Sequence, residues 1–461
     1  MKKFLTYFIL PFILAPVLLS SCGEDRSGEY YALISTKTWM YETMQQNYLF
    51  YNDIPAESEL DFFRKPSEFL KSAASSRDQK NGILFSHIDS VFNETRMITS
   101  QYPSYGIEGA LVRNAAGDNV VHVLYTYPNS PASEAGLKRG DWIIEADSQK
   151  INSSNYEQYI ERPMQAYSYK IARKNPEEKN DTIMVEMPAP RVIEEPSVLM
   201  TKSIQVGNQH AYYILYNSFE AENENELKDA FANIPSNTTD IILDLRYNPG
   251  GSVSTAILLG TYLAPSNAMN QKCVDLIPND KINKVQTYNF DPQLLAGGNR
   301  FDYRNLYILT TSNTASASEL VINCLRPYMP GKLFQVGEAT FGKNVAQSLF
   351  KDPLAPKLEF WLTTAYISNS KGEYEYYEEG LKPDFLLEEN LAGELGEFGT
   401  PQDSLLRPVL YHIENGSFPK VETSKTRVAS TNILHNSITK KEKQARLTSA
   451  FLQEQLFTKK W

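Results

Sequence analysis

Cysteine and histidine are scarce in this 461-residue chain, which limits the chemistry it can perform. The three cysteines are Cys22, Cys273 and Cys324, and they do not form a zinc-ligand pattern. No HExxH motif occurs, and the five histidines are scattered: His87, His122, His210, His412 and His435. Metal catalysis is therefore not expected, and neither is any other cofactor. Cys273 and Cys324 lie in apolar segments, where free buried cysteine is common, although an exported protein could pair them.

The chain also lacks an excess of basic residues. Its formal net charge is −10, with 45 lysines and arginines against 55 aspartates and glutamates. A nucleic-acid-binding protein normally carries a basic stripe, so no nucleic-acid partner is expected. Hydrophobic residues at 42% and charged residues at 22% are typical of a folded protein, and the length allows two or three domains.

The first 22 residues form a separate segment. Lys2 and Lys3 precede the apolar run FLTYFILPFILAPVLL, which two prolines interrupt. This run is too short and too broken for a comfortable membrane span, and it predicts a secretory signal. Its LSSC ending resembles the lipobox of bacterial lipoproteins, which implies cleavage before Cys22 and lipid attachment to that thiol. We therefore expect a cell-envelope protein anchored by lipid to a bacterial membrane, with the face unspecified; an uncleaved anchor and plain secretion are the alternatives.

The remaining chain divides into four regions. Residues 30–100 place apolar and aromatic residues at three- and four-residue spacing, which predicts a helical domain. Residues 103–188 contain short alternating runs separated by turns and predict a β-rich domain. In residues 190–400 strands alternate with helices, which predicts an α/β domain with a mainly parallel sheet. Residues 401–461 form a C-terminal extension, basic from 421, whose end is either a docking helix or a solvated tail.

The β-rich region carries SPASEAGLKRGDWIIEADSQKI, a helix, turn and strand that resemble a PDZ domain. The earlier YGIEGA stands in the place of the carboxylate-binding loop, with Tyr105, Gly106 and Ile107 as the candidate peptide-binding residues. Such domains receive an extended peptide as an added strand and hold its terminal carboxylate with loop N–H groups. A small β-domain with a purely structural role is the alternative.

A serine-rich stretch, TSNTASASELVINCL at residues 311–325, separates a predicted strand from a predicted helix. Ser316 and Glu319 have the spacing of a capping box, and helix capping alone is enough to explain a serine and a glutamate at these two positions. A nucleophilic serine would also need a base and an oxyanion hole. No GxSxG motif occurs and no histidine lies close in sequence, although a distant histidine could complete a Ser-His-Asp triad.

Lysine is the other candidate base. Lys343 follows a predicted strand and a glycine in VGEATFGKNVAQSLF, residues 336–350. A buried amine that has no carboxylate beside it can stay neutral and accept a serine proton. Gln347, four residues later, could hold the amine by a hydrogen bond without charging it. The NPGG turn, residues 248–251, follows a predicted buried strand and could direct N–H groups at an oxyanion.

The order DLRYNPGG, TASASELV and GEATFGKNVAQ resembles the C-terminal processing, or tail-specific, peptidases, and the segment before the PDZ-like region resembles the N-terminal domain of one bacterial branch. These are Ser/Lys serine peptidases with a PDZ domain on a catalytic core related to the ClpP/crotonase fold. The resemblance implies an α/β catalytic core with a mainly parallel βαβ sheet, a PDZ-like domain and an N-terminal helical domain. It also implies that Ser316 is the nucleophile, with Ser318 as its rival, and that Lys343 is the general base. Gln347 would orient Lys343, and the oxyanion donors would be the N–H groups of Gly250 or Gly251 and of Ala317.

The chain departs from the family pattern at Tyr247, where a small residue is usual and a tyrosine could crowd the oxyanion turn. The segment RPYMPGKLFQ is longer than usual, and the basic end after residue 420 has no counterpart. The expected function is a serine endopeptidase that cleaves proteins or peptides near unstructured C-termini captured by the PDZ-like domain. A catalytically silent, peptide-binding lipoprotein is the alternative. The expected partners of the chain are proteins or peptides with unstructured C-termini and, through the lipid, a membrane. The chain could also form a homo-oligomer.

Overall fold

The structure is a computed structural model that describes residues 27–90, 102–114, 117–174, 180–295, 302–420 and 433–438. The predicted signal segment, the predicted lipid-attachment site at Cys22 and the predicted C-terminal helix lie outside these residues. Within the described ranges, no helix combines the length and the apolar character needed to cross a membrane.

The N-terminal region is helical in its first part only. Its elements are α1 (Ser27–Asn47), α2 (Pro66–Ala73), β1 (Gln79–Lys80), β2 (Ile83–Leu84) and β3 (His87–Ser90). The expectation of helix over residues 30–100 is therefore wrong from residue 79 to residue 90. Tertiary pairing overrides the helical pattern there, because β1 pairs with β2 and β3 joins a larger sheet. Met40, Met44 and Phe69 form one apolar cluster with Phe85 and with Val345 of the α/β region, so the N-terminal region packs on the α/β region.

The PDZ-like region is an antiparallel sheet. Its elements are β4 (Ile107–Arg113), β5 (Asn119–Thr126), α3 (Pro131–Glu134), β6 (Trp142–Ala146), β7 (Gln149–Lys150), a π-helical turn (Glu157–Glu161), β8 (Ser168–Lys174) and β9 (Asn180–Glu186). The helix-turn-strand predicted from SPASEAGLKRGDWII is present. Ser130 and Ser133 form a reciprocal capping box at the start of α3, and Gly136 and Gly140 take the positive φ values that the turn requires.

The α/β region is built on a six-stranded sheet. Its strands are β10 (Val198–Val206), β11 (Gln209–Tyr216), β12 (Asp240–Asp244), β15 (Asn305–Thr310), β16 (Leu333–Gly337) and β19 (Phe385–Leu386), in that order. Only the β10–β11 pair is antiparallel. The predicted mainly parallel α/β sheet is therefore present.

Helices cover both faces of this sheet. They are α4 (Glu224–Ala232), α5 (Val253–Leu263), α6 (Ala317–Leu325) and α7 (Arg407–Asn415). Ile241 and Leu243 of β12 belong to the apolar cluster that holds α5 and α6, whereas Ile242 belongs to the cluster that holds α7 and the PDZ residue Val112. Alternate side chains of one strand therefore enter opposite cores, as expected for a strand buried on both faces.

A second, antiparallel sheet closes the α/β region. It contains β13 (Lys272–Pro278), β14 (Gln286–Asn289), β17 (Val345–Asp352) and β18 (Ala355–Ser368), with β3 paired to β18. The run EYEYYEEGLKPDFLLEE, residues 373–389, has a strand-like pattern in the sequence, but only Phe385–Leu386 forms a strand. Gly380, at φ +67°, turns the chain so closely that a Cβ there would lie 1.9 Å from the Thr340 carbonyl oxygen.

The C-terminal extension contributes one further strand, β20 (Ile433–Asn436), which pairs antiparallel with β4 of the PDZ-like sheet. The PDZ-like sheet therefore has the order β20-β4-β5-β6-β8-β9.

Candidate active site

Ser316 is the residue immediately before α6, in the loop that follows β15. Its backbone has φ +57° and ψ −113°, a conformation that glycine favours and that strains a serine. The side chain is 1% exposed, and within the described part of the chain its hydroxyl has no hydrogen-bond partner. The Ser316 N–H donates to the Glu319 carboxylate at 2.8 Å. Ser316 and Glu319 thus have the predicted capping-box arrangement, while the serine hydroxyl itself has no hydrogen-bond partner among the described residues and stays available for chemistry.

Ser318, the rival nucleophile, is engaged elsewhere. Its hydroxyl donates to the backbone carbonyl of Asn248 at 3.1 Å, and the N–H of Ala315 donates to the same carbonyl. Ser318 thus attaches the start of α6 to the NPGG turn. Of the two serines, Ser316 is the one whose hydroxyl is uncommitted.

Lys343 is completely buried, and its side chain meets Gln347 as the spacing suggested. Its amine donates to Oε1 of Gln347 at 2.9 Å and lies 5.4 Å from the ring centre of Phe85. The Nε2 of Gln347 donates in turn to the Phe85 carbonyl. This second bond fixes the amide so that its oxygen faces the lysine. Phe85 belongs to the N-terminal region, and no local sequence signal connects it to Lys343.

Glu319 has a larger role than capping. Its Oε2 accepts from the N–H groups of Ser316 and Lys343, each at 2.8 Å, and its Oε1 accepts from the Gly342 N–H and the Thr340 hydroxyl, each at 2.6 Å. Burial raises the pKa of this carboxyl from its ordinary value. One buried side chain therefore joins the loop of the candidate nucleophile to the loop of the candidate base.

The NPGG turn lies directly against Ser316. Gly250 and Gly251 have φ values of +110° and +147°, and a Cβ on Gly250 would lie 2.8 Å from the Ser316 Cβ. The Gly250 N–H donates to Oδ1 of Asn248 at 2.9 Å, so an oxyanion that uses this N–H must compete with Asn248. The N–H groups of Gly251 and Ala317 have no acceptor among the described residues. Ala317 opens α6, where the first N–H groups lack intrahelical partners.

Tyr247 does not crowd this turn. Its hydroxyl donates to Glu389 at 2.6 Å and accepts from Arg139 of the PDZ-like region at 3.1 Å. Burial raises the pKa of Glu389, but Arg139 and Arg246 outweigh burial and hold that pKa at about 2. The tyrosine therefore connects the turn to the PDZ-like region through a buried ionic cluster.

The predicted peptide-binding loop is ordered by contacts of its own. The hydroxyl of buried Tyr105 donates to the Gln165 carbonyl at 2.5 Å. The N–H of Gly106, at φ +74°, donates to the hydroxyl of Ser104 at 2.9 Å, and Ile107 begins β4. A terminal carboxylate that uses the Gly106 N–H must therefore compete with Ser104.

Within the described ranges, no group of three or more histidine, cysteine, aspartate or glutamate side chains is arranged to hold a metal. Cys273 and Cys324 are free, buried thiols, and both sulfur atoms would lie within 4 Å of a Cβ on Gly260.

Three family profiles match the chain. They are peptidase family S41 over residues 210–387, the peptidase S41 N-terminal domain over residues 35–87 and a PDZ domain over residues 122–162. A crystal structure named as an S41 protease from Bacteroides fragilis NCTC 9343 is 31% identical, covers 82% of this chain and 97% of its own, and superposes with a TM-score of 0.71. The chain belongs to peptidase family S41.

The curated relatives share a lower sequence identity with this chain. A carboxyl-terminal-processing protease of Synechocystis is 24% identical over 62% of this chain and 63% of its own length. A CtpA-like serine protease of Staphylococcus aureus is 28% identical over 58% of this chain and 50% of its own length. The matched segment thus spans between half and 63% of these relatives.

Proposed function

We propose that this S41 family member is a serine endopeptidase of the C-terminal processing type, with Ser316 as nucleophile and Lys343 as general base. The observation that carries the proposal is the strained, buried Ser316, whose hydroxyl has no partner within the described ranges. Glu319 joins this serine to the loop of a buried lysine. Gln347 orients the amine and, being uncharged, does not favour its protonated form. The names of the curated relatives support the same reaction class.

The proposed reaction has two stages. Ser316 attacks the substrate carbonyl while Lys343 takes its proton, and the resulting oxyanion accepts from the N–H groups of Gly251 and Ala317. Lys343 then protonates the departing amine, leaving an acyl-serine. Water attacks this ester with Lys343 again acting as base, which releases the second product and restores the serine.

The PDZ-like region supplies the substrate in this proposal. It receives an unstructured C-terminal segment as an added strand and presents the preceding chain to Ser316. The substrates are therefore proteins or peptides with unstructured ends. We also propose that lipid on Cys22 anchors the enzyme to a bacterial envelope membrane, on the basis of the LSSC sequence; mass spectrometry of the mature N-terminus tests this separately.

Replacement of the two serines in parallel tests the chemistry. Ser316→Ala should abolish cleavage of a peptide substrate while the fold, measured by circular dichroism, is retained. Ser318→Ala should keep measurable activity, reduced because the NPGG turn loses one attachment. Full cleavage by Ser316→Ala would reject Ser316 as the nucleophile, and no cleavage by the wild-type chain on any peptide library would favour the silent peptide-binding alternative.

A further inference from the structure

The groove between β4 and the π-helical turn (Glu157–Glu161) of the PDZ-like region, called the peptide-binding groove below, already contains a strand of this same chain. Residues 433–436 pair antiparallel with β4, with Ile433 opposite Val112, His435 opposite Leu111 and Asn436 opposite Ala110. The other side of β4 pairs with β5, so this added strand covers what would otherwise be an exposed sheet edge.

The direction of the added strand matches that of a captured C-terminus. Because the pairing is antiparallel, the chain runs from Val112 towards Ile107 as residue numbers rise from 433 to 438. It therefore approaches the YGIEGA loop with its C-terminal end leading, which is how an added peptide strand reaches a carboxylate-binding loop.

Side chains hold the segment on both sides of the groove. Nε2 of His435 lies 2.9 Å from Oε1 of Glu161, and its ring packs 4.6 Å from that of Tyr156 beside the π-helical turn. The Ser437 hydroxyl donates to buried Glu108 at 2.6 Å and accepts from the Gly109 N–H at 2.9 Å.

An aliphatic contact completes the set. Ile438 is 2% exposed and lies in the apolar cluster that contains Ala110 and Val112 of β4. The segment is thus bound by backbone pairing, two acidic side chains and one apolar site.

We propose that residues 433–438 are a ligand in cis for the peptide-binding groove, and that the C-terminal segment of a substrate must displace them. The inference rests on the proposed role of the PDZ-like region in substrate capture. The contacts also define the ligand class: an extended peptide with a cationic or hydrogen-bond-donating side chain facing Glu161, a hydroxyl facing Glu108 and an aliphatic residue close to its end.

Two truncations of the full chain test the proposal, both in the Ser316→Ala background. One ends after Lys420 and lacks the segment; the other ends after Lys443 and keeps it. The probe is a fluorescein-labelled peptide ILHNSI, the sequence of residues 433–438 with a free carboxylate. Fluorescence anisotropy should show at least tenfold tighter binding to the shorter chain than to the longer one. Equal affinity, or no binding to the shorter chain, overturns the proposal.

A point substitution covers the case in which the shorter chain does not fold. His435→Glu places a second carboxylate opposite Glu161 and should raise probe affinity in the full chain, whereas Leu434→Ala, at an exposed position of the same strand, should not. If His435→Glu leaves the probe affinity unchanged, the cis-ligand proposal fails.

Cleavage assays separate this inference from the proposed function. With Ser316 intact, the Lys420 truncation should cleave a peptide ending in HNSI with a lower KM than the full chain. A short blocked peptide that lacks such an end should be cleaved equally by both. Loss of all cleavage in both chains would count against the peptidase proposal alone, because the binding experiment does not depend on catalysis.

Discussion

Oε2 of Glu319 accepts a hydrogen bond from the backbone N–H of Lys343, 2.8 Å away, although 24 positions separate the two residues. The same oxygen accepts from the Ser316 N–H. The relative position of nucleophile and base therefore depends on a side chain that takes no direct part in the proposed reaction.

The replacement Glu319→Gln tests this dependence. The amide nitrogen cannot accept, so two of the four donors lose their acceptor, at about 1–3 kcal/mol for each buried group left unsatisfied. We expect kcat/KM for peptide cleavage to fall by about 10²-fold. Glu338→Gln is the matched control, because Glu338 also accepts two backbone N–H groups but contacts neither Ser316 nor Lys343. An equal loss in both variants would contradict the assigned role.

The strained backbone of Ser316 predicts a conflict between stability and activity. Glycine relieves positive φ whereas alanine does not, so Ser316→Gly should be more stable than Ser316→Ala by about 1 kcal/mol, although both should be inactive. Urea unfolding measures the difference. At Ser312, which is not among the residues with positive φ, the order should reverse, with the glycine variant less stable. The same order at both positions would show that Ser316 is not strained.

The uncharged amide of Gln347 predicts the pH dependence of the reaction. Gln347→Glu places a carboxylate within hydrogen-bond distance of the Lys343 amine and favours its charged form. The rise of the pH–rate profile should therefore move to higher pH by about one unit or more. Gln347→Met removes the hydrogen bond without adding charge, so it should lower kcat without that displacement. An unchanged profile in the glutamate variant would remove Lys343 from the role of base.

His122 predicts how stability changes with pH. It is buried on β5, its Nδ1 lies 2.8 Å from the Leu391 carbonyl, and burial lowers its pKa to about 4. Because the unfolded histidine titrates near 6.5, the unfolded state binds a proton that the native state does not. The contribution of His122 to the free energy of unfolding is constant well above pH 6.5. As the pH falls towards 4, this contribution makes the free energy of unfolding smaller, and the decrease is about 2 kcal/mol at pH 5.

The measurement is the difference in unfolding free energy between wild type and His122→Gln at pH 7.5 and at pH 5. On acidification the variant should lose less stability than the wild type, or gain some, because it lacks the buried histidine. A gain would come from Asp78, which is present in both proteins: burial raises its pKa to about 6, so its protonation stabilises the folded state as the pH falls. A difference that does not change with pH would mean that His122 is not held neutral by burial.

Sequence patterns alone determined much of this molecule. The alternation of apolar strands and amphipathic helices predicted β11, β12, β15, β16 and the helices between them, because such periodicity is a local property of the chain. The serine, lysine and glutamine of the candidate site were singled out because the short motifs that contain them resemble those of the C-terminal processing peptidases. The misassigned stretches, residues 79–90 and 373–384, are those in which distant contacts override local preference.

Tertiary structure decided the choices that spacing could not. In the folded protein, Asn248 accepts hydrogen bonds from the Ser318 hydroxyl and the Gly250 N–H, whereas the Ser316 hydroxyl has no partner in the part of the chain that the structure describes. It also brought the Phe85 carbonyl to Gln347 and placed residues 433–436 on β4. The physical reason is that hydrogen bonding between groups far apart in the chain depends on how whole elements pack, and no local pattern of residues encodes that packing.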